Sequence, residues 1–414
     1  MKFLLYSLNY SPELTGIGKY NGEMISALSE MGVEAHVLTA QPYYPEWKIH
    51  KNFKNKWTKS LDENTTVYRC PLYVPNKISF LKRILHLVSF SLSSAMRLCT
   101  LFKLKPDVLF IVQPTLFCVP AALLYCKIIG AKSIMHIQDY ELDAMFGLGL
   151  LGEKNAQKGF LASFAKKIES WLMAKFDAIS TISYSMIDIA KEKGVAEEKL
   201  IFFPNWSDTQ FVTPNTCGNT LKKDWGFEDS DKIVLYAGNI GKKQGLEIVL
   251  TAAKQYMANT RIKFVLVGDG VHLASLQNLA RQLQLDNLYF KPLLPWSRVP
   301  EMLALADVHL VIQNKGVADA VLPSKLTNIL SAGGHALVAA EQNTELGKLA
   351  VKHVGIYTLI EPEDISALKI ALDKLLSMDT TIHNSIARKF AEQHLGKDKI
   401  LSKFYEDLKQ LVNK

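Results

Sequence analysis

Three features of this chain predict an α/β fold built from two doubly wound, Rossmann-like halves. Short apolar strands alternate with amphipathic helical patterns up to about residue 203. The rhythm then breaks in a stretch crowded with Asn, Thr, Pro, Gly and Asp, and restarts near residue 232. The length of 414 residues exceeds one ordinary core and fits two domains. The expected division is residues 1–204 as a first domain, 205–231 as the connection, 232–396 as a second domain, and 397–414 as a helix packing back on the first.

In the first half, strands are expected at residues 2–8, 34–39, 108–112, 133–137, 178–182 and 201–203. Residues 2–8 are too short and apolar for anything but a buried strand, and Ile17, Met24, Ile25 and Leu28 then repeat at helical spacing. In the second half, strands are expected at residues 233–236, 264–267, 288–290, 308–312, 336–339 and 355–357, and the pattern from Ile365 onward is helical. Ligands of such sheets bind beyond the carboxyl ends of the strands, so two facing halves create a cleft for them.

Composition narrows the class. Hydrophobic residues make up 48% and charged residues 21%, which describes a globular chain. No uncharged run reaches the roughly 18 to 20 residues of a spanning helix, and the start lacks a secretory pattern, so a cytoplasmic location is the default expectation. The five cysteines (Cys70, Cys99, Cys118, Cys126, Cys217) have no paired or metal-ligand spacing and read as reduced thiols. The ten histidines form no zinc pattern either.

The net charge of +8 is concentrated in one place. Residues 48–105 hold twelve Lys or Arg against Asp62 and Glu63, a local charge of +10. Within them, Ile78, Leu81, Leu85, Val88, Leu92 and Met96 keep helical spacing, Phe80, Ile84, Leu87 and Phe90 widen the apolar face, and Lys77, Lys82 and Arg83 stand at the head. A basic helix with an apolar face suits an anionic membrane surface. The same pattern serves a helix that turns its apolar face to the core. Nucleic acid is disfavoured, because the aromatics are not interleaved with the cations.

Five motifs could carry chemistry. Residues 9–20 join the first strand to the first helix through Gly16 and Gly18, whose missing Cβ atoms let backbone N–H groups approach an anion at a helix N-terminus. Glycines in this pattern also close ligand-free βα turns. Strand 233–236 runs into Gly238, Asn239, Gly241, Lys242, Lys243, Gln244 and Gly245, where backbone donors and two lysines suit a diphosphate. An exposed turn with solvated lysines has the same composition. Gly268, Asp269 and Gly270 repeat the design and suit a nucleotide or a structural turn. Pro323, Ser324 and Lys325 open a helix that continues through Asn328, as an anion site or a plain N-terminus would. His136 ends a buried strand with Asp139 three residues on, so it serves either a sugar hydroxyl and proton transfer or the core.

Taken in order along the chain, these motifs resemble the GT-B glycosyltransferases of family 4, and the resemblance spans nearly the whole sequence. The strings at residues 10–20, 42–45, 136–139 and 238–241 are similar to the branch of colanic-acid fucosyltransferases and N-acetylfucosamine transferases. The resemblance implies a retaining transfer from a nucleotide-sugar, with the donor diphosphate on the second domain and the acceptor on the first. It implies no cofactor beyond that co-substrate and generally no metal. Carried onto this chain, His136 sits near the transferred sugar as the catalytic candidate, Gly16 and Gly18 line the cleft, and Tyr10, Glu13, Tyr20 and Asp139 belong to the acceptor side or the cleft. Donor binding falls to Gly16, Gly18, Gly238, Asn239, Lys242, Lys243, Gln244, Gly268, Asp269, Asp319, Ser324, Lys325 and Asn328.

Two departures from the family pattern stand out. Its usual Arg and Lys phosphate ligands are replaced by Asn239 and Gln244, and its paired Glu positions by Ala320 and Asn328, with Asp319 one residue away. The resulting expectation is a peripheral membrane transferase, adding a deoxyhexose such as fucose from GDP-fucose to a lipid-diphosphate-linked sugar in exopolysaccharide or O-antigen assembly. A sugar-nucleotide 2-epimerase of the same fold and a non-catalytic two-domain sugar-binding protein are the alternatives. The basic segment counts against the first, and the anion-suited turns against the second.

Overall fold

A computed structural model of the chain describes residues 1–13, 16–62, 64–77, 79–113, 116–140, 156–316 and 322–414. It divides into two compact units, Met1–Phe203 with Leu401–Lys414, and Pro204–Ile400.

The first unit holds strands β1 (Lys2–Tyr6), β2 (Glu34–Ala40), β3 (Thr58–Asp62), β4 (Thr65–Cys70), β5 (Val108–Val112), β6 (Lys132–Ile137), β7 (Ala178–Thr181) and β8 (Leu200–Phe202). They form one sheet in the order β3-β4-β2-β1-β5-β6-β7-β8. Its helices among the described residues are α1 (Gly16–Glu30), α2 (Phe80–Cys99), α3 (Val119–Ile129), α4 (Ala156–Met173) and α5 (Tyr184–Glu192). Phe3, Leu4 and Leu5 of β1 and all of β5 are fully buried, as parallel strands covered on both faces require. Every neighbouring pair is parallel except β3 with β4.

The sequence reading missed that hairpin. Thr58, Lys59, Ser60, Leu61 and Asp62 carry no run of apolar residues, and four of the five are exposed at the sheet edge. A polar, lysine-bearing edge strand resists pairing with another chain and looks like a surface loop from composition alone.

The second unit has a wholly parallel sheet of β9 (Lys232–Ala237), β10 (Ile262–Val267), β11 (Leu288–Lys291), β12 (Val308–Val311), β13 (Ala336–Ala339) and β14 (Thr358–Ile360), ordered β11-β10-β9-β12-β13-β14. Its helices are α6 (Asn219–Asp224), α7 (Glu247–Gln255), α8 (Leu273–Gln282), α9 (Val299–Ala304), α10 (Ser324–Ser331), α11 (Glu345–Lys352), α12 (Ile365–Ser377) and α13 (Ser385–His394). β14 begins three residues later than expected. Ile356 and Tyr357 are buried before pairing starts, so their apolar character marked the core and not the strand.

Helix α14 (Lys397–Asn413) starts in the second unit, and its Leu401 onward belongs to the first. There Phe404 stacks on Phe203 at 3.9 Å and meets Phe110 edge-on at 5.4 Å. Among the described residues, no helix is long and apolar enough to cross a membrane.

Candidate functional site

In the second unit, strand β9 ends in the turn that carries Gly238 and Asn239, followed by a single helical turn at Lys242–Gln244. The carbonyls of Lys242 and Lys243 each accept from Asn314, through its side-chain Nδ2 and its backbone N at 3.0 Å. Their backbones are thereby fixed while both side chains remain exposed. Gln244 folds back so that its Oε1 accepts from the Gly241 N–H at 3.1 Å.

This geometry corrects the expected backbone cradle. Gly238 N–H donates to the Val267 carbonyl, Ile240 N–H to Asp269, and Gly241 N–H to Gln244. The Gly268 N–H goes to Lys291, and Gly270 N–H to the Asp269 carboxylate at 2.7 Å. Gly268 is required by the fold: an ideal Cβ there would stand 1.9 Å from the Gly238 carbonyl oxygen. The two glycine turns therefore pack on each other, and these donors are spent inside the unit. Asn239 and Asp269 remain exposed beside them.

The features of this unit that suit an anion are therefore cationic side chains and the start of α10. Pro323 precedes α10, no side chain among the described residues caps the helix, and exposed Ser324 and partly buried Lys325 occupy its first turn. The Lys325 Nζ donates to the Tyr236 hydroxyl at 2.9 Å, which brings α10 to the end of β9. Asn328 accepts from the Ser207 hydroxyl at 2.8 Å, so its Oδ1 ties α10 to the segment that follows β8. Asp319 lies outside the described residues, as does Ala320.

In the first unit, the loop after β1 is braced from three sides. Asn21 of α1 donates to Ser7 Oγ and to the Asn9 carbonyl, both at 2.9 Å. Arg69 of β4 donates to the carbonyls of Ser11 and Ala40, with its guanidinium 6.0 Å from the Tyr10 ring and 5.2 Å from that of Phe53. Buried Glu13 accepts from the backbone N–H groups of Tyr43 and Tyr44 at 3.0 Å, and from Asn9 Nδ2 at 2.8 Å. Burial pushes its carboxyl pKa up, against the pull of those donors.

Gly18 departs from its expected role. The bare face of Gly18 is filled by the Glu13 side chain, so it does not open the backbone to an anion. Gly16, at φ +58°, has open space where a Cβ would be. Tyr10 and Tyr20 are buried, and burial raises the Tyr20 hydroxyl pKa.

His136, at the end of β6, has both ring nitrogens engaged. Its Nδ1 lies 2.7 Å from Ser180 Oγ and its Nε2 lies 2.9 Å from Gln138 Nε2. An amide N–H can only donate, so Nε2 accepts and Nδ1–H donates to Ser180, which describes a neutral ring. Phe110 stacks on it at 5.2 Å, and burial pulls its pKa down to about 3. A ring held this way is a hydrogen-bonded strut and a poor proton carrier near neutral pH. Asp139 is exposed three residues on. Ser180, Gln138, Asn314 and Tyr236 were not found from sequence; the available signal was a polar residue at a strand end next to a motif residue.

Helix α2 divides its apolar residues between two faces. His86, Leu87, Phe90, Ser93, Ser94 and Leu98 form its buried face, while Leu81 is 76%, Leu85 52%, Leu92 63% and Met96 56% exposed. Of the two readings open for this apolar row, a core-facing helix and an outward surface, the described members other than half-buried Val88 form a solvent-facing stripe; Ile78 lies outside the described residues. Positions 81, 85, 92 and 96 fall within about 60° of one another at 100° per residue. Lys77, Lys82 and Arg83 are exposed at its head. On the adjacent α3, Leu124 and Ile128 are exposed as well.

Comparison with known proteins matches residues 15–206 to the family described as "Glycosyl transferase 4-like domain" and residues 219–393 to "Glycosyl transferases group 1". The chain is 46% identical over 413 residues to the Escherichia coli K12 protein named "Putative colanic acid biosynthesis glycosyl transferase WcaI", covering 99% of this chain and 100% of that one. It is 24% identical over 290 residues to the probable glycosyltransferase WbjE of Pseudomonas aeruginosa, covering 69% and 70% of the two chains. Similar solved structures include the sucrose-phosphate synthase of Thermosynechococcus elongatus (TM-score 0.75, 14% identity, 99% of both chains). Another is Anabaena HepE in complex with UDP (TM-score 0.70, 15% identity, 99% and 100% covered).

Proposed function

Because the chain belongs to the GT-B glycosyltransferases of family 4, we propose that it transfers a hexose or deoxyhexose, with fucose from GDP-fucose as the leading case, from a nucleotide-sugar to a lipid-diphosphate-linked sugar in exopolysaccharide assembly. The relative named for colanic acid biosynthesis supports the pathway class. The observation that carries the donor reading is the meeting of Lys325, in the uncapped first turn of α10, with the glycine turn after β9. A cation at a helix N-terminus is built to receive a diphosphate.

In this reading the bond from the sugar C1 to the phosphate oxygen breaks, an acceptor hydroxyl bonds to C1 on the same face, and its proton passes to the departing phosphate oxygen. Lys325, Lys242 and Lys243 stabilise the negative charge that develops on the leaving diphosphate. His136 supports the strand end as a neutral hydrogen-bonding group and is not assigned the proton. Tyr10, Glu13 and Tyr20 shape the acceptor side by fixing the loop after β1.

The acceptor's lipid places the reaction at the cytoplasmic face of a membrane. The outward stripe of α2, with Lys77, Lys82 and Arg83 at its head, supports that location. Four large apolar side chains on one exposed face suit insertion at the headgroup boundary, and the surrounding +10 charge favours anionic lipid over a second copy of the same surface.

Thermal-shift titration with GDP, UDP, dTDP and ADP, repeated for Lys243→Ala and Lys325→Ala, tests the donor site. A response selective for one base and weakened by either substitution is expected. No response to any of the four removes the nucleotide-sugar reading.

A further inference from the structure

Tyr236 stands one residue before the end of β9, fully buried, with its ring in the core and its hydroxyl at the sheet's carboxyl edge. The hydroxyl has one proton, which it donates to the Asn239 carbonyl at 2.7 Å, and its oxygen accepts from Lys325 Nζ at 2.9 Å. The ammonium also lies 4.0 Å from the centroid of the Tyr236 ring, a cation–π distance. On the other side, an ideal Cβ at Gly238 would stand 3.0 Å from Nζ and 3.1 Å from Cε of Lys325. A strand end, a glycine and a helix start thus converge on one ammonium group.

We propose that Tyr236 is a positioning residue for the donor diphosphate: it holds the Lys325 ammonium against the bare backbone of Gly238 before the ligand arrives. The inference rests on the reading of this unit as the diphosphate site. Its physical basis is preorganisation. A lysine side chain carries about 2 kcal/mol of rotamer entropy, and any part fixed beforehand is not lost on binding. A phenol suits the task because it is a neutral partner, fixing the ammonium without cancelling its charge. Burial raises the Tyr236 pKa and so keeps the hydroxyl protonated. The same hydroxyl pins the Asn239 carbonyl, so one group sets both the cation and the turn beside it.

The test is calorimetric titration of the full-length chain with the preferred nucleoside diphosphate and with its parent nucleoside. Tyr236→Phe is expected to weaken the diphosphate about three- to tenfold and leave the nucleoside unchanged, and to add nothing further in a Lys325→Ala background. Gly238→Ala, whose methyl would crowd the ammonium at 3.0 Å and meet the phenol oxygen only at an ordinary contact distance of 3.8 Å, is expected to give the same diphosphate-selective loss. Equal weakening of nucleoside and diphosphate by both substitutions would mean a merely structural role and overturn the inference. Full additivity with Lys325→Ala, or an effect of Lys325→Ala with none of Tyr236→Phe, would overturn it too, while sparing the site. A Lys325→Ala variant that binds the diphosphate like the unsubstituted chain, or no diphosphate binding at all, would remove the underlying reading and the inference with it.

Discussion

The side chain of Glu13 fills the space that a Cβ on Gly18 would need: an ideal Cβ there would stand 2.8 Å from Glu13 Cβ and 3.1 Å from its Oε2. The carboxylate so placed receives the N–H groups of Tyr43 and Tyr44, and the loop after β1 is clamped to the one after β2. Gly18→Ala should therefore act through Glu13. A displaced Glu13 leaves two N–H groups seeking a partner, a cost of about 1–3 kcal/mol. Urea unfolding would measure it, and a change under about 0.5 kcal/mol, the scatter of neutral surface substitutions, would show that the clamp does not matter.

Glu13 also predicts a pH dependence. Its folded pKa is raised above the ordinary 4.5, so the native state holds the proton more tightly than the unfolded chain. The associated stability is complete below about pH 4.5 and is lost as pH rises through the folded value. Glu13→Gln keeps an oxygen for Tyr43 and Tyr44 but does not titrate. Its stability should gain on the unsubstituted chain between pH 4.5 and 7, and a constant difference would contradict the account.

His136 carries the opposite sign. Its pKa falls from 6.5 to about 3 on folding, so the unfolded chain binds the extra proton. Stability is complete above pH 6.5 and declines as pH falls toward 3, at up to about 1.4 kcal/mol per pH unit for one proton. His136→Gln should remove about one proton from the slope of unfolding free energy between pH 6 and 4.5, measured by denaturant titration. Buried His309, pulled down to about 4, leaves a residual slope of the same sign.

The α2 stripe separates membrane contact from folding. Replacing Leu81, Leu85 and Leu92 together by Ser removes exposed apolar surface, so unfolding stability should change by less than about 0.5 kcal/mol per site. Binding to vesicles containing anionic lipid should fall by about tenfold or more. Lys82→Glu with Arg83→Glu should weaken binding to anionic vesicles and leave neutral ones little affected. Unchanged vesicle binding in both variants would remove the membrane surface from the account.

The parallel strands were legible because runs such as residues 2–6 and 108–112 are buried on both faces and have few alternatives to a central strand. The β3–β4 hairpin was not, because an edge strand is chosen for what it avoids. The α2 stripe shows the limit of periodicity: spacing finds an apolar face and cannot say whether it meets the core or the solvent. Glycine roles were the least legible part of the site. Gly18 and Gly268 read as openings toward a ligand, yet their spaces are filled by Glu13 and by the Gly238 carbonyl, contacts made only after folding. Lys325 was found from its helix-start motif, while its partner Tyr236 looked like one more apolar strand residue.

Glycosyl transfer itself is most directly tested by incubating the chain with GDP-fucose, and in parallel with UDP-, dTDP- and ADP-linked hexoses, in vesicles holding a polyprenyl-diphosphate-linked sugar. Mass spectrometry of the lipid fraction should show a gain of one sugar residue from one donor, with the anomeric configuration of that donor kept in the product by NMR. A lipid fraction unchanged with every donor, or a nucleotide-sugar recovered epimerised at C2, would contradict the account.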